Sequence, residues 1–330
     1  MADAEVLAEV YRGDFLESVH FGHAVVARPD GTVVDSWGDP HCIILPRSSA
    51  KMLQALPLVE CGAAKHLSPQ QLALVCSSHS GEGRHVRIIR KWLKDLNLTE
   101  GALRCGPEPS RDRHLLEEMI RDGQPATPAF NNCSGKHTGF LTLAAHMNAG
   151  SDYTEPDHPV QKAARAAMEE MTGVDCPGYA IDGCSAPNFA TSVRGLACAM
   201  AKFAVAGQKS GSRDQSAAAL RDAMIAHPEL VSGKGRTCAD IMVAANGRVA
   251  VKTGAEGVYV AIIPDLGIGL ALKVADGASR ASQLAIVGLL VRLGALDPRH
   301  PIVARYLQRP IINWAGIVTG FERPAPGLLG

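Results

Sequence analysis

Apolar and polar residues alternate early in the chain, in a pattern that predicts β-strands. Within residues 19–37, two alternating runs flank the turn sequence Arg28-Pro29-Asp30-Gly31. Alternation with a period of two is typical of half-buried strands, and proline followed by Asp-Gly is typical of turns. The pattern therefore predicts a β-hairpin.

From Ser48 to about residue 230 the apolar residues recur at helical spacing. Ser68-Pro69-Gln70-Gln71 combines an N-cap, a proline at the first helical position and a capping-box glutamine. Alanine, which has the highest intrinsic helix propensity, is abundant in this region. Further helices are predicted over 84–96, 110–121, 137–147, 158–171, 188–205 and 213–226.

The period returns to two from about residue 247. Three apolar runs are separated by Gly254-Ala255-Glu256-Gly257 and Pro264-Asp265-Leu266-Gly267, and such short connections indicate an antiparallel meander. A long apolar helix is predicted over 282–293. The end of the chain, with Pro310, Pro324 and Pro326, is predicted to form an irregular tail.

This order of elements predicts an α+β fold in which the first hairpin and the late meander complete one antiparallel sheet. We expect a single catalytic unit over residues 1–330. Its sheet lobe would comprise about 14–45 and 246–300, and a mostly helical lobe would comprise 46–245. A cleft between the lobes is the natural place for a site, and Ser48 would lie on it.

Composition narrows the class of protein. Lys+Arg and Asp+Glu both number 33, so net charge favours neither nucleic acid nor an anionic membrane as a partner. No run of about 18 apolar residues predicts a membrane span, and the acidic N-terminus lacks the features of a signal peptide. Nine cysteines without a CxxC pair are typical of a reducing compartment. We expect a cytoplasmic globular protein.

Ser48 and Lys51 lie three residues apart at the predicted start of a helix, so their side chains would share one face. A serine hydroxyl becomes a good nucleophile when a neighbouring base removes its proton. Arg47 and the positive end of the helix dipole would both favour a neutral, basic lysine. The alternative is that Ser48 caps the helix and Lys51 points to solvent.

Lys252-Thr253-Gly254 follows near the end of the first late strand. Ser-x-x-Lys together with Lys-Thr-Gly is a signature of class A β-lactamases and penicillin-binding proteins. A strand beside the serine can present an ammonium group and backbone N–H groups to a substrate carboxylate and oxyanion. Glu256 would add a carboxylate nearby, unless it is an ordinary turn residue.

Three further loops are unusually polar. In the loop at residues 76–83, Ser80 is a candidate proton relay with Lys252 as its partner, although its serines could simply end the preceding helix. Cys133 and Cys184 each precede a serine in a glycine-flanked loop, and with His137 they could form a thiolate-rich site suited to Zn²⁺. The remaining cysteines are interpreted as structural: Cys42, Cys61, Cys76, Cys105, Cys176, Cys198 and Cys238.

Five motifs, in order, resemble those of the rhizobial-type (class 3) L-asparaginases, whose fold is akin to serine β-lactamases and glutaminases. They are Pro46–Lys51, Ser78–Glu82, Asn132–His137, Asp182–Ser185 and Lys252–Gly257. The resemblance implies two Ser–Lys tandems, Ser48 with Lys51 and Ser80 with Lys252. It also implies a homodimer and a zinc ion bound by Cys133, Lys136 and Cys184, with Asp182 holding metal-bound water.

The resemblance prefers Lys136 over His137 as the third zinc ligand and leaves His137 as a candidate substrate contact. The expected reaction is hydrolysis of L-asparagine to L-aspartate and ammonia, with Ser48 as nucleophile and Lys51 as base. A glutaminase, a serine β-lactamase-like amidohydrolase and a non-catalytic zinc-containing binding protein are the alternatives. The predicted substrate-binding residues are Arg47, His137, Asp182, Thr253, Gly254 and Glu256.

Overall fold

A computed structural model describes residues 3–330, and its central feature is an eight-stranded antiparallel sheet. Seven strands follow the order β11-β12-β1-β2-β10-β9-β8, and β3 pairs with β2. Two short strand pairs, β4 with β7 and β5 with β6, lie outside this sheet. The strands are β1 (Glu5–Arg12), β2 (Phe15–Ala27), β3 (Val33–Trp37), β4 (Ile43–Ile44), β5 (Tyr179–Ile181), β6 (Pro187–Phe189), β7 (Thr191–Ser192), β8 (Ala250–Gly254), β9 (Val258–Ile263), β10 (Ile268–Val274), β11 (Arg309–Ile312) and β12 (Val318–Pro324).

Twelve α-helices are found within residues 3–330, and most of them lie between β4 and β8. Ser68 and Gln71 form the predicted capping box at the start of α2. The helices are α1 (Lys51–Glu60), α2 (Pro69–Val75), α3 (Gly83–Asp95), α4 (Arg113–Arg121), α5 (Ser134–His146), α6 (Pro159–Thr172), α7 (Val193–Ala204), α8 (Ser212–Ala226), α9 (Pro228–Val231), α10 (Thr237–Ala244), α11 (Ser279–Arg292) and α12 (Pro301–Leu307).

The centre of the sheet is the core of the molecule. Every residue of β9 is buried, and β10 is buried except at Lys273. Helix α7 packs against β2, β9 and β10, and α11 packs against β1, β9, β10 and β12. Strands covered in this way read as continuous apolar runs, because both of their faces are removed from water. The predicted α+β fold, with one antiparallel sheet flanked by helices and a largely helical insertion, is confirmed.

The prediction of an irregular C-terminal tail is wrong. Residues 309–324 contain β11 and β12, and β12 pairs with β1 near the other end of the chain. The sheet therefore extends outside 14–45 and 246–300 at both of its sequence ends. Pro310 lies on the edge strand β11, where a missing N–H is tolerated, and Pro324 ends β12. The prolines thus marked strand positions and did not exclude strands.

One close contact between the two parts of the fold positions the site. Gly254, at the end of β8, packs directly on the turn that precedes α1. A Cβ atom at Gly254 would lie 2.7 Å from Pro46 O and 3.2 Å from Ser49 N. Only glycine fits this approach without displacement, which brings the end of β8 beside Ser48. None of the helices described between residues 3 and 330 has the length and apolarity needed to cross a bilayer.

Candidate active site

A cleft of about 800 Å³ lies where the end of β8 meets the turn before α1. Its wall combines residues from the helical insertion and from the sheet. Several residues predicted from sequence lie on this wall: Arg47, Ser48, Cys133, Asp182, Cys184, Thr253 and Gly254. The fold therefore gathers motifs that are up to two hundred residues apart in the chain.

Ser48 lies in a short 3₁₀ turn over Arg47–Ala50 that leads into α1. Arg47 has φ = 54°, a left-handed backbone conformation that costs energy for a residue with a side chain. This conformation is held by a hydrogen bond from Arg47 N to Asn188 Oδ1 (3.1 Å). Ser49 Oγ donates to Pro46 O (2.6 Å) within the same turn. Ser48 is half-buried and its position on the cleft wall is set by this constrained backbone.

Lys51 is buried at the start of α1. The predicted pairing of Lys51 with Ser48 is not found. Lys51 Nζ donates to Ser77 O, to Ser78 Oγ (3.1 Å) and to Cys133 Sγ (3.1 Å). No hydrogen bond between the Ser48 hydroxyl and Lys51 is present within residues 3–330. The prediction assumed continuous α-helical spacing, whereas Ser48 lies in the 3₁₀ turn and Lys51 begins the α-helix.

Lys252, from the sheet, approaches the Ser78 hydroxyl that Lys51 also contacts. Its Nζ donates to Ser78 Oγ (2.8 Å) and to Thr253 O (2.7 Å). Burial, and then the positive charge of Lys51, lower the pKa of Lys252 to about 7. Ser78 Oγ thus lies between two buried amines, one of which is close to half-neutral at pH 7.

The predicted pairing of Ser80 with Lys252 is wrong. Ser80 is buried, and its Oγ donates to Glu82 Oε1 at 2.6 Å. A Cβ at Gly233 would lie only 2.0 Å from this hydroxyl, so Ser80 is enclosed by a neighbouring loop. Ser78 occupies the place that was predicted for Ser80. The loop offers several hydroxyls in a row, and spacing alone does not distinguish which one faces the lysine.

Arg47 and Asp182 form an ion pair on the cleft wall, with Arg47 Nη2 2.8 Å from Asp182 Oδ1. Burial raises the pKa of Asp182, but the charge of Lys136 and the hydrogen bond from Arg47 outweigh it and lower this pKa overall. Asp182 is therefore a carboxylate at neutral pH. The fold thus brings together two residues predicted to bind substrate, and in this structure they bind each other.

Cys133, Lys136 and Cys184, the residues predicted to bind zinc, lie close together. Lys136 Nζ donates to Cys184 Sγ at 3.0 Å. A hydrogen bond from the Cys133 thiol, together with the charge of Lys136, lowers the pKa of Cys184 despite its burial. In the described part of the chain, no three His, Cys, Asp or Glu residues converge to hold a metal. The two sulfur atoms match donors that Zn²⁺ prefers, whereas the Lys136 amine could bind a metal only after losing its proton.

His137 and Glu256 are not brought to the cleft. His137 is fully buried, with Nδ1 2.9 Å from Tyr153 Oη and its ring edge-on to Phe140. Glu256 lies in the exposed turn between β8 and β9, with φ = 59°. Neither residue is on the cleft wall. The predicted substrate contacts from these two side chains are therefore not supported.

The structure adds cleft residues that sequence reasoning had set aside. Cys238 Sγ accepts a hydrogen bond from Thr253 N (3.3 Å) and lies 3.0 Å from Tyr259 Oη. Cys105 and Cys238, both interpreted as structural, line the cleft together with Arg236. A lone cysteine carries no local sequence signal of such a position, because the residues that surround it in the cleft come from distant segments.

The fold and the cleft define a class: an α+β protein whose site is built from serine, lysine and cysteine side chains. A family model described as L-asparaginase II matches residues 8–324. The chain belongs to this family, which confirms the asparaginase resemblance found in the sequence. Membership makes the protein a hydrolase that acts on an amide of a small molecule.

Solved structures similar to this chain include two described as β-lactamases. One, from Mycobacterium bovis, has 12% identity, covers 79% of this chain and 89% of that chain, and gives a TM-score of 0.45. The other, a putative β-lactamase from Bacteroides dorei, has 12% identity, covers 77% of this chain and 84% of that chain, and gives a TM-score of 0.40. A comparison with curated proteins found no significant match.

Proposed function

We propose that this protein is an L-asparaginase that converts L-asparagine to L-aspartate and ammonia. Family membership supports an amide substrate. The observation that carries the proposal is the position of Ser78 Oγ between Lys51 Nζ and Lys252 Nζ at the cleft. Amide hydrolysis needs a proton removed from a nucleophile and then delivered to a poor leaving group, and this arrangement can do both.

Ser48 is the proposed nucleophile. It is half-buried on the cleft wall. The hydrogen bonds of its neighbours Arg47 and Ser49 constrain the backbone of its turn. Its Oγ attacks the carboxamide carbon of the substrate and forms a tetrahedral oxyanion. Backbone N–H groups of the Ser48 turn and of the end of β8 are the proposed oxyanion donors, each worth about 2.7–4 kcal/mol by analogy with a known protease.

Lys51, Ser78 and Lys252 form the proposed proton relay. Neutral Lys252 accepts the proton of Ser78 as Ser78 accepts that of Ser48. Burial, and then the positive charge of Lys51, keep the pKa of Lys252 low, and Lys51 also orients the Ser78 hydroxyl. The proton then returns through Ser78 to the amide nitrogen, the C–N bond breaks, and ammonia leaves. A water molecule, deprotonated by the same relay, hydrolyses the ester on Ser48 and releases aspartate.

Cys133, Lys136 and Cys184 are the proposed ligands of a zinc ion, which would supply positive charge at the wall that binds substrate. Lys51 donates to Cys133 Sγ, so the zinc ligands and the proton relay share a hydrogen bond. Asp182, held by Arg47, would orient polar groups beside this site. A homodimer in the cytoplasm completes the proposal, and light scattering in solution tests the assembly.

Ammonia release from a panel of amides tests the function. Wild type should hydrolyse L-asparagine faster than L-glutamine, and Ser48→Ala should lose several orders of magnitude in turnover. Ser279→Ala is the matched control, because Ser279 lies on the same wall outside the proposed machinery. Faster glutamine hydrolysis would favour a glutaminase and nitrocefin hydrolysis a β-lactamase. Failure to hydrolyse any amide would favour a binding protein.

A further inference from the structure

The charged side chains on the cleft wall do not balance. Three arginines and two carboxylates line it, and the Cys184 thiolate on the same wall is paired with Lys136. Arg47 pairs with Asp182, and Arg111 Nη2 lies 2.6 Å from Glu108 Oε1. Within residues 3–330, Arg236 has neither an ion-pair partner nor a side-chain hydrogen bond. The wall therefore presents one uncompensated guanidinium group to whatever enters the cleft.

The backbone that carries Arg236 is held in place although the side chain is exposed. Gly233 and Gly235 have φ values of 127° and 69°, which a residue with a side chain rarely adopts. Lys234 N donates to Glu82 Oε1 (3.0 Å), and Arg236 N donates to Gly233 O (3.3 Å). Because Ser80 donates to the same Glu82 oxygen, the buried Ser80–Glu82 pair anchors this loop.

The loop borders the proposed reacting centre through β8. Arg236 immediately precedes α10, whose second residue, Cys238, accepts the hydrogen bond from Thr253 N. The next residue of β8 is Gly254, which packs on the Ser48 turn. The N-terminal end of α10 also carries partial positive charge, so the helix dipole does not stabilise the Arg236 guanidinium but adds to its positive potential. An anion near Arg236 would be stabilised by both.

We propose that Arg236 binds the α-carboxylate of the substrate and so selects α-amino acids over simple amides. This inference rests on the proposed asparaginase function and names the residue that gives it specificity. A guanidinium group binds a carboxylate through two parallel hydrogen bonds, which fixes orientation as well as charge. Anchoring the α-carboxylate at Arg236 would leave the side-chain amide directed into the cleft, towards Ser48 and Ser78.

The test compares L-asparagine with 3-aminopropanamide, which is asparagine with its α-carboxylate replaced by hydrogen. Arg236→Ala should lower kcat/KM for asparagine by about 10- to 100-fold, mainly through KM, because a charged hydrogen bond is lost. For 3-aminopropanamide the same variant should match wild type within about threefold. Arg236→Lys should recover part of the loss. Lys234→Ala removes a neighbouring exposed cation outside the cleft wall. It should leave kcat/KM unchanged for both substrates.

Inhibition by products gives the same comparison when 3-aminopropanamide turns over too slowly. L-Aspartate should inhibit Arg236→Ala about 10- to 100-fold more weakly than it inhibits wild type, because the same charged hydrogen bond is lost. Equal losses for both amides would reveal a purely structural role, and an unchanged KM for asparagine would also overturn the inference. An Arg236→Ala variant that behaves like wild type refutes only this step, whereas a wild type that releases no ammonia from asparagine refutes the proposed function as well.

Discussion

Lys252 Nζ lies 2.8 Å from Ser78 Oγ, although 174 residues separate them in the chain. The ammonium group is fully buried, and burial lowers its pKa to about 7. An amine with a pKa near the working pH is a good general base, because both of its protonation states are populated. Ser78, which no local pattern distinguishes from its neighbours, is therefore the hydroxyl best placed to move a proton.

Replacing Ser78 should have a different effect from replacing Ser80. Ser78→Ala should lower kcat about 10²- to 10⁴-fold, because the proposed relay is interrupted. Ser80→Ala should keep most of the activity but lower the free energy of unfolding by about 1–3 kcal/mol, because the buried Glu82 loses a hydrogen bond. Steady-state ammonia release and urea denaturation measure the two effects. Equal activity losses would contradict the proposed relay.

The pH dependence of kcat/KM should report the ionisation of Lys252. The neutral amine is the proposed base, and its pKa is lowered from 10.5 to about 7. Activity should therefore rise about tenfold per pH unit below pH 7 and level off above it. Lys252→Arg should be nearly inactive and should lack this rising limb, since arginine stays protonated. A limb near pH 10 in wild type, or its persistence in Lys252→Arg, would assign the titration to another group.

Gly254→Ala should disturb the nucleophile without touching it. The added methyl group would meet the backbone at Pro46 O and Ser49 N, so the Ser48 turn has to move. Misplacement by about 1 Å can cost about 10²-fold in rate, and overpacking costs about 1–3 kcal/mol in stability. Gly150→Ala is the control, because nothing lies within 4 Å of its Cβ position. Wild-type kinetics for Gly254→Ala would show that this contact does not position Ser48.

Zinc should be found in protein purified without added metal, at about one ion per chain. Cys133→Ser and Cys184→Ser should each lose it, because a hydroxyl binds Zn²⁺ far less well than a thiolate. Cys61→Ser is the matched control, since Cys61 is an exposed free cysteine. Elemental analysis measures the content directly. A metal-free wild type, or full zinc in the double cysteine variant, would remove the metal proposal.

The candidate site was only partly visible in the sequence. Arg47, Ser48 and Gly254 lie on the cleft wall because the Ser-x-x-Lys and Lys-Thr-Gly motifs flank the helical insertion. His137 was misassigned, because its polar loop context did not show that the ring enters the core against Tyr153. Arg236 was missed, since an arginine that follows Gly-Lys-Gly is indistinguishable by pattern from one in an ordinary surface loop.

The sequence by itself determined the local elements: the 19–37 hairpin, the capping box at Ser68, and the meander that includes β9 and β10. Those features depend on periodicity and turn chemistry, which neighbouring residues carry. The tertiary structure decided that β12 joins β1, and that Ser78 rather than Ser80 lies between the two lysines. These outcomes depend on packing between distant segments. A shift of two positions along the loop, from Ser80 to Ser78, changes which side chain meets the lysines. No local pattern records that shift.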